Sequence, residues 1–144
     1  MTVRQSCVWL AGIALVATGL SMLANAGDSE KAAQIARGKY LVEDVGKCAD
    51  CHTPFDEKGQ PIAAKHLQGA VLMFKPTVPM PAWADRSPSI AGLKGWDDDD
   101  AVHFMMSGET QDKQRPRPPM PEYRFNQEDA RAVVAYLRSL SPSK

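Results

Sequence analysis

Five consecutive residues, Cys48-Ala49-Asp50-Cys51-His52, constrain this chain more than any other stretch of it. Two thiols three positions apart can each add to a vinyl group along one edge of a porphyrin. A histidine directly after the second can then ligate the iron from one face. The spacing is that of covalent c-type haem attachment, with thioethers at Cys48 and Cys51 and an axial bond from His52. Two other chemistries use paired thiols. A tetrahedral zinc site usually needs a second Cys or His pair at matching spacing, and the one further cysteine, Cys7, lies in a segment expected to be removed. A thioredoxin-like dithiol sits in a βαβ pattern, and none surrounds these residues. With one such motif the chain is expected to hold one haem, which would supply much of its core.

Residues 1–26 follow the pattern of an export signal peptide. Arg4 precedes an apolar run from Val8 to Leu23, and Ala24-Asn25-Ala26 reads as an A-x-A cleavage site before Gly27. The run, about sixteen residues, falls below the ~20 needed to span a bilayer. Cys7 precedes the run, whereas a lipoprotein cysteine would follow it. The expectation is one mature domain of residues 27–144, exported to the periplasm, with no transmembrane anchor. Export agrees with covalent haem attachment, which in bacteria is associated with the far side of the inner membrane.

Lysine plus arginine and aspartate plus glutamate number 17 each, so the basic excess of a nucleic-acid binder is missing. Eleven prolines and few β-branched runs predict a small all-α fold with long ordered loops. A first helix is expected after an Asp28-Ser29 cap, with Ile35, Gly38, Val42 and Val45 on one stripe, Leu41 beside them, and Gly46 as its stop. Gly38 in mid-helix costs about 1 kcal/mol against alanine, which a close helix crossing would explain. A further helix is expected from an Asp97 cap, with Asp98, Asp99 and Asp100 on its positive end, Ala101, Val102, Met105 and Met106 as its apolar stripe and Gly108 as its end. The last begins at Asn126, with Asp129 in a capping-box-like position. Ala130, Val133, Val134, Leu137 and Leu140 follow at helical spacing, with Pro142 beyond. The two terminal helices are predicted to pack on each other across Gly38.

Between them, residues 53–93 show no periodicity and many prolines. A loop of that length is functional or wraps something, here the haem edge, with Leu67, Val71, Leu72, Met73, Phe74, Met80 and Trp83 apolar enough to line it. Met120 stands between Pro118-Pro119 and Pro121, and prolines stiffen the backbone around it. A thioether is a weak ligand that benefits from being held in place, so Met120 is the expected second axial ligand. His66, His103, Met73, Met80, Met105 and Met106 are weaker candidates, better read as packing or hydrogen-bonding residues.

On these residues the chain resembles the class I cytochromes c of bacteria, and most of all the cytochrome modules that accompany periplasmic dehydrogenases. The resemblance runs through Gly38-Lys39-Tyr40-Leu41, the Cys48–His52 motif with Thr53-Pro54, Gly95-Trp96, Pro118-Pro119-Met120-Pro121 and the stretch from Ala132 to Leu140. It implies a mostly helical cytochrome c fold with crossing terminal helices, thioethers at Cys48 and Cys51, axial His52 and Met120, and Trp96 near the haem propionates. The long loop after Pro54 departs from the shortest members, so loop contacts do not carry over.

Iron with both axial positions filled has no open site for substrate. The expectation is therefore an electron carrier between a dehydrogenase-type donor and an oxidase or cytochrome acceptor, and not an enzyme in itself. A cytochrome subunit of a dehydrogenase complex and a gas-binding or catalytic haem protein with an open iron are the alternatives. Lys113, Arg115, Arg117 and Arg124 surround the Met120 loop. They are either a salt-sensitive docking face for an acidic partner or ordinary solvated surface.

Overall fold

The computed structural model describes residues 27–140. The expected signal peptide and Pro142 lie outside the described residues. A boundary between two compact units falls after Ala33. Of the first unit, residues 27–33 are helical, so Asp28 and Ser29 lie within helical residues and not ahead of them.

The second unit opens with helical residues 34–40, here α1, which run into a π-turn at Leu41–Val45. The Gly46 N–H reaches back five residues to the Leu41 carbonyl, at 2.7 Å. A π-turn holds one residue more than an α-turn. The extra residue rotates the stripe: Leu41 and Val42 are buried, while Val45 is 52% exposed, against expectation. The helix does stop at Gly46, but with φ −78°, and the left-handed residue is Lys47, at φ 51°. Space at the glycine is tight instead. A Cβ on Gly46 would stand 3.0 Å from the Leu41 carbonyl oxygen and 3.3 Å from Cys48 Sγ.

Helix α2, Cys48–His52, carries the paired thiols. The long middle contains 3₁₀ turns at Ala63–Lys65 and Ala91–Leu93 and two short strands, β1 (Ala70–Val71) and β2 (Arg86–Ser87). The strands pair antiparallel, Ala70 opposite Ser87 and Val71 opposite Arg86. The fold is thus helical as expected, with one small sheet added. Leu67 is the hinge of this region. It is fully buried at φ 56°, and its carbonyl accepts from both Ile90 and Ala91.

Helix α3, Asp98–Ser107, starts where the acidic run predicts: Asp97 accepts the Asp99 N–H at 2.9 Å, and Gly108 ends it at φ 71°. In α4, Gln127–Ser139, Asn126 accepts the Asp129 N–H at 2.8 Å. Asp129 in turn takes two bonds from Arg37 of α1, at 2.8 and 3.2 Å. The terminal helices cross at Gly38, where an added Cβ would fall on the Ala132 carbonyl oxygen and 2.8 Å from Tyr136 Cβ. Leu41, Val42, Val133, Val134 and Leu137 close the core around that crossing. Arg138 then locks α4 to the approach of α3, donating to Asp98 and to the carbonyls of Gly92, Leu93 and Trp96. Among the described residues no helix is long and apolar enough to cross a membrane.

Candidate functional site

His52, at the end of α2, is 6% exposed, and its Nδ1 lies 2.8 Å from the Pro88 carbonyl oxygen. A carbonyl can only accept, so Nδ1 carries the proton and the Nε2 lone pair is left for another partner. Burial holds the His52 pKa below the ordinary histidine value, with the Pro88 bond opposing. The ring is therefore neutral, as a metal ligand must be. A backbone carbonyl on the second ring nitrogen is the usual way such a ligand is oriented.

What holds Pro88 there was not legible in the sequence. Gly69 donates to the His52 carbonyl at 2.7 Å and sits at φ 86°. A Cβ on it would stand 2.8 Å from the Ser87 carbonyl oxygen and 2.9 Å from the Pro88 carbonyl carbon. Ser87 Oγ donates to the Cys51 carbonyl at 2.6 Å and accepts the Ala70 N–H at 2.9 Å. Fully buried Thr53 accepts the Leu67 N–H through its hydroxyl. The middle loop thus grips the motif through one backbone bond and two hydroxyls that each meet a backbone group, which side-chain periodicity does not encode.

Cys48 and Cys51 are free thiols, both half-buried. Burial pushes Cys48 up to about 11 and raises Cys51 as well, so both are protonated. Placed at i and i+3 of one helical turn, they share a face.

Met120 is half-buried, and its N–H bonds the Arg117 carbonyl at 3.1 Å. Its loop is fastened by more than prolines. Arg117 donates to the carbonyls of Ala82 and Trp83 at 3.0 and 2.7 Å, and the Ala84 N–H bonds the Pro118 carbonyl at 2.7 Å. Tyr123, three residues past Met120, donates to the Gly46 carbonyl at 2.8 Å, two residues before Cys48. The loop and the motif are thereby tied together. Of the weaker candidates, Met73 lines a pocket together with Cys51 and Thr53. Met73, Met80 and Met106 are exposed, and Met105 packs on the core. His66 Nε2 bonds Glu43, which also accepts from the Tyr136 hydroxyl.

The expected cationic face around Met120 is not a set of free cations. Lys113 and Arg115 pair with Glu109, Arg115 and Arg124 with Glu122, and Arg117 is spent on backbone carbonyls. Proximity in sequence grouped the bases, and the fold interleaves them with two acids. These ion pairs hold the carboxyls of Glu109 and Glu122 below the usual carboxylate range.

These residues fit a covalently bound haem. The two thiols share a face, His52 offers an oriented, neutral nitrogen, and the indole nitrogen of Trp83 is buried without a partner. Such an unpaired donor costs about 1–3 kcal/mol until something accepts from it. Among the described residues no group of three or more His, Cys, Asp or Glu is placed to hold a metal ion.

Comparison with known proteins gives the family. The family profile described as cytochrome c matches residues 35–141. A "Diheme cytochrome c-type" protein of Cereibacter sphaeroides is 31% identical over 135 residues, covering 90% of this chain and 42% of that protein. The "Alcohol dehydrogenase (quinone), cytochrome c subunit" of Gluconobacter oxydans is 37% identical over 78 residues, 52% of this chain and 16% of that protein. The "Fructose dehydrogenase cytochrome subunit" of Gluconobacter japonicus is 31% identical over 119 residues, 75% of this chain and 22% of that protein. The chain therefore spans less than half the length of each of these relatives.

Proposed function

The chain belongs to the cytochrome c family, and on that premise we propose that it carries single electrons through one haem c bound at Cys48 and Cys51, with His52 and Met120 as axial ligands. The donor is a dehydrogenase-type protein, the acceptor a respiratory oxidase or another cytochrome, and the location is the periplasm. The observation that carries the reading is the Nδ1 bond from His52 to Pro88, which aims one lone pair beside two thiols on the same turn. One C-x-x-C-H in the chain supports one haem. A bound haem supplies the one-electron iron couple. The protein's own part is to hold it: Gly69, Ser87 and Thr53 fix the motif, and Arg117 and Tyr123 hold the Met120 loop against it.

A second reading is a subunit held permanently in a dehydrogenase complex. The names of two relatives, which are cytochrome subunits, and the pairing of the basic residues around Met120 favour it. Purification from the native host separates the two readings, because a shuttle leaves its donor on the column and a subunit does not. Mass spectrometry of the exported protein is expected to give residues 27–144 plus one haem. An intact Met1 end removes the signal-peptide expectation, and a missing haem mass removes the function.

Replacing Met120 tests the second ligand. Met120→Ala is expected to leave folded protein, since the loop keeps its Arg117 and Tyr123 anchors. The reduction potential should fall, because thioether ligation raises it, and the ferrous iron should take up carbon monoxide. An unchanged low-spin spectrum in the variant rules Met120 out as ligand.

A further inference from the structure

We propose, on the haem-binding reading above, that the Glu43–His66 pair is a positioning element for His52: it fixes the loop whose Pro88 carbonyl orients that ring, and so sets how strongly the ring donates to iron. His66 Nε2 lies 2.7 Å from Glu43 Oε1, and the same oxygen accepts the Tyr136 hydroxyl at 2.6 Å. An ionised carboxylate only accepts, so Nε2 carries the proton in this contact. Glu43 belongs to the π-turn that leads into Cys48, Tyr136 to α4 and His66 to the middle loop. One carboxylate thus meets three segments. The His66 and Glu43 side chains are 35% and 20% exposed, so the contact is shielded more than a surface pair would be.

The path from His66 to the His52 ring is short. Leu67, the next residue, is fully buried at φ 56°, and its carbonyl accepts the Ile90 and Ala91 N–H at 2.9 and 3.0 Å. Two residues further, the Gly69 backbone lies against Ser87, Pro88 and Ser89. A Cβ there would stand 2.8 Å from the Ser87 carbonyl oxygen and 2.9 Å from Pro88 C and Ser89 N. Ala70 then pairs with Ser87. Residues 67–70 and 87–91 therefore move as one piece, and the carbonyl that meets His52 Nδ1 sits inside it. The Leu67 and Gly69 N–H groups tie this piece to Thr53 and His52, at the motif itself. The His66 bond is of another kind, because it ties the piece to α1's π-turn on the far side of the motif.

An Nδ1–H held on a carbonyl makes the imidazole a more basic ligand, which favours ferric iron. Loosening that bond weakens the donor and raises the midpoint potential. The test uses the haem-loaded protein, with haem content fixed first by its pyridine haemochrome. His66→Gln keeps a donor for Glu43, and His66→Leu does not. The two variants carry the same charge, so the difference between them reads the bond and not the charge. In proton–nitrogen NMR of the reduced protein, the His52 Nδ1–H is expected to exchange at the wild-type rate in His66→Gln. In His66→Leu it should exchange at least about tenfold faster, and that variant should have the higher midpoint potential. Equal exchange in the two variants overturns the inference, and so does equal potential. If His66→Leu does not fold, His66→Asn, too short to reach the carboxylate, takes its place and must show both differences from His66→Gln. A wild type that takes up no haem overturns the functional reading and this inference with it, whereas matching variants of a haem-loaded protein overturn the inference alone.

Discussion

His52→Ala is expected to abolish low-spin haem and to cost the protein most of its stability. The substitution removes a ring that is 6% exposed, together with the nitrogen proposed to ligate the haem iron. It also leaves the Pro88 carbonyl without its donor. Cavity formation and one unmet hydrogen bond together cost about 3 kcal/mol or more, before the iron bond is counted. Pro88 is seated by Gly69 and Ser87, and the same residues hold the carbonyls of His52 and Cys51. Loss of the ring should therefore loosen β1 and β2 as well as the site. Visible spectra and thermal melts followed by circular dichroism check this: a variant with the parent's low-spin bands and melting temperature would show that His52 is neither ligand nor core. The pKa shift has its own consequence. Before haem is bound, burial lowers the His52 value in the folded state, so as pH falls through the ordinary histidine range the unfolded haem-free chain takes up the proton first. Stability is present above that range and is lost below it.

Gly38→Ala is expected to destabilise the haem-loaded protein by about 2 kcal/mol. Alanine by itself would favour the helix by about 1 kcal/mol. Against that, the new methyl would fall on the Ala132 carbonyl oxygen of α4. Backbone cannot swing aside as a side chain can, so the helices must part, and overpacking of this kind costs up to about 3 kcal/mol. Parting them also strains the Arg37–Asp129 pair and loosens the contacts of Leu41, Val42 and Leu137. In a domain of this size the loss corresponds to roughly 10 °C in melting temperature. The low-spin spectrum should persist at low temperature, because the haem motif lies beyond the crossing. A melting temperature equal to or above the parent's would mean that the crossing can relax, and that Gly38 is there for another reason.

Much of this was legible because it is local. A cap needs one side chain and a backbone N–H two or three residues on, so Asp97 and Asn126 could be read as helix starts. Gly108 could be read as an end for the same reason. Gly38 could be read as a crossing because nothing local repays a glycine in mid-helix. Local patterns also misled. The helical stripe placed Val45 inward, and the π-turn turned it out. The basic residues around Met120 could be read as a docking face or as solvated surface, and only the fold shows Lys113, Arg115 and Arg124 paired with Glu109 and Glu122.

The sequence by itself determined the chemistry: two thiols and a histidine at fixed spacing, the amphipathic helices at either end, and a methionine held between prolines. These follow from covalent reach and from the helical repeat, both properties of neighbouring residues. Tertiary structure alone decided which carbonyl orients His52 and which glycine lets that carbonyl approach. Each depends on backbone groups that every residue carries alike. Pro88 meets His52 across 36 residues of chain, and nothing in the side chains between them marks that meeting until the chain has folded.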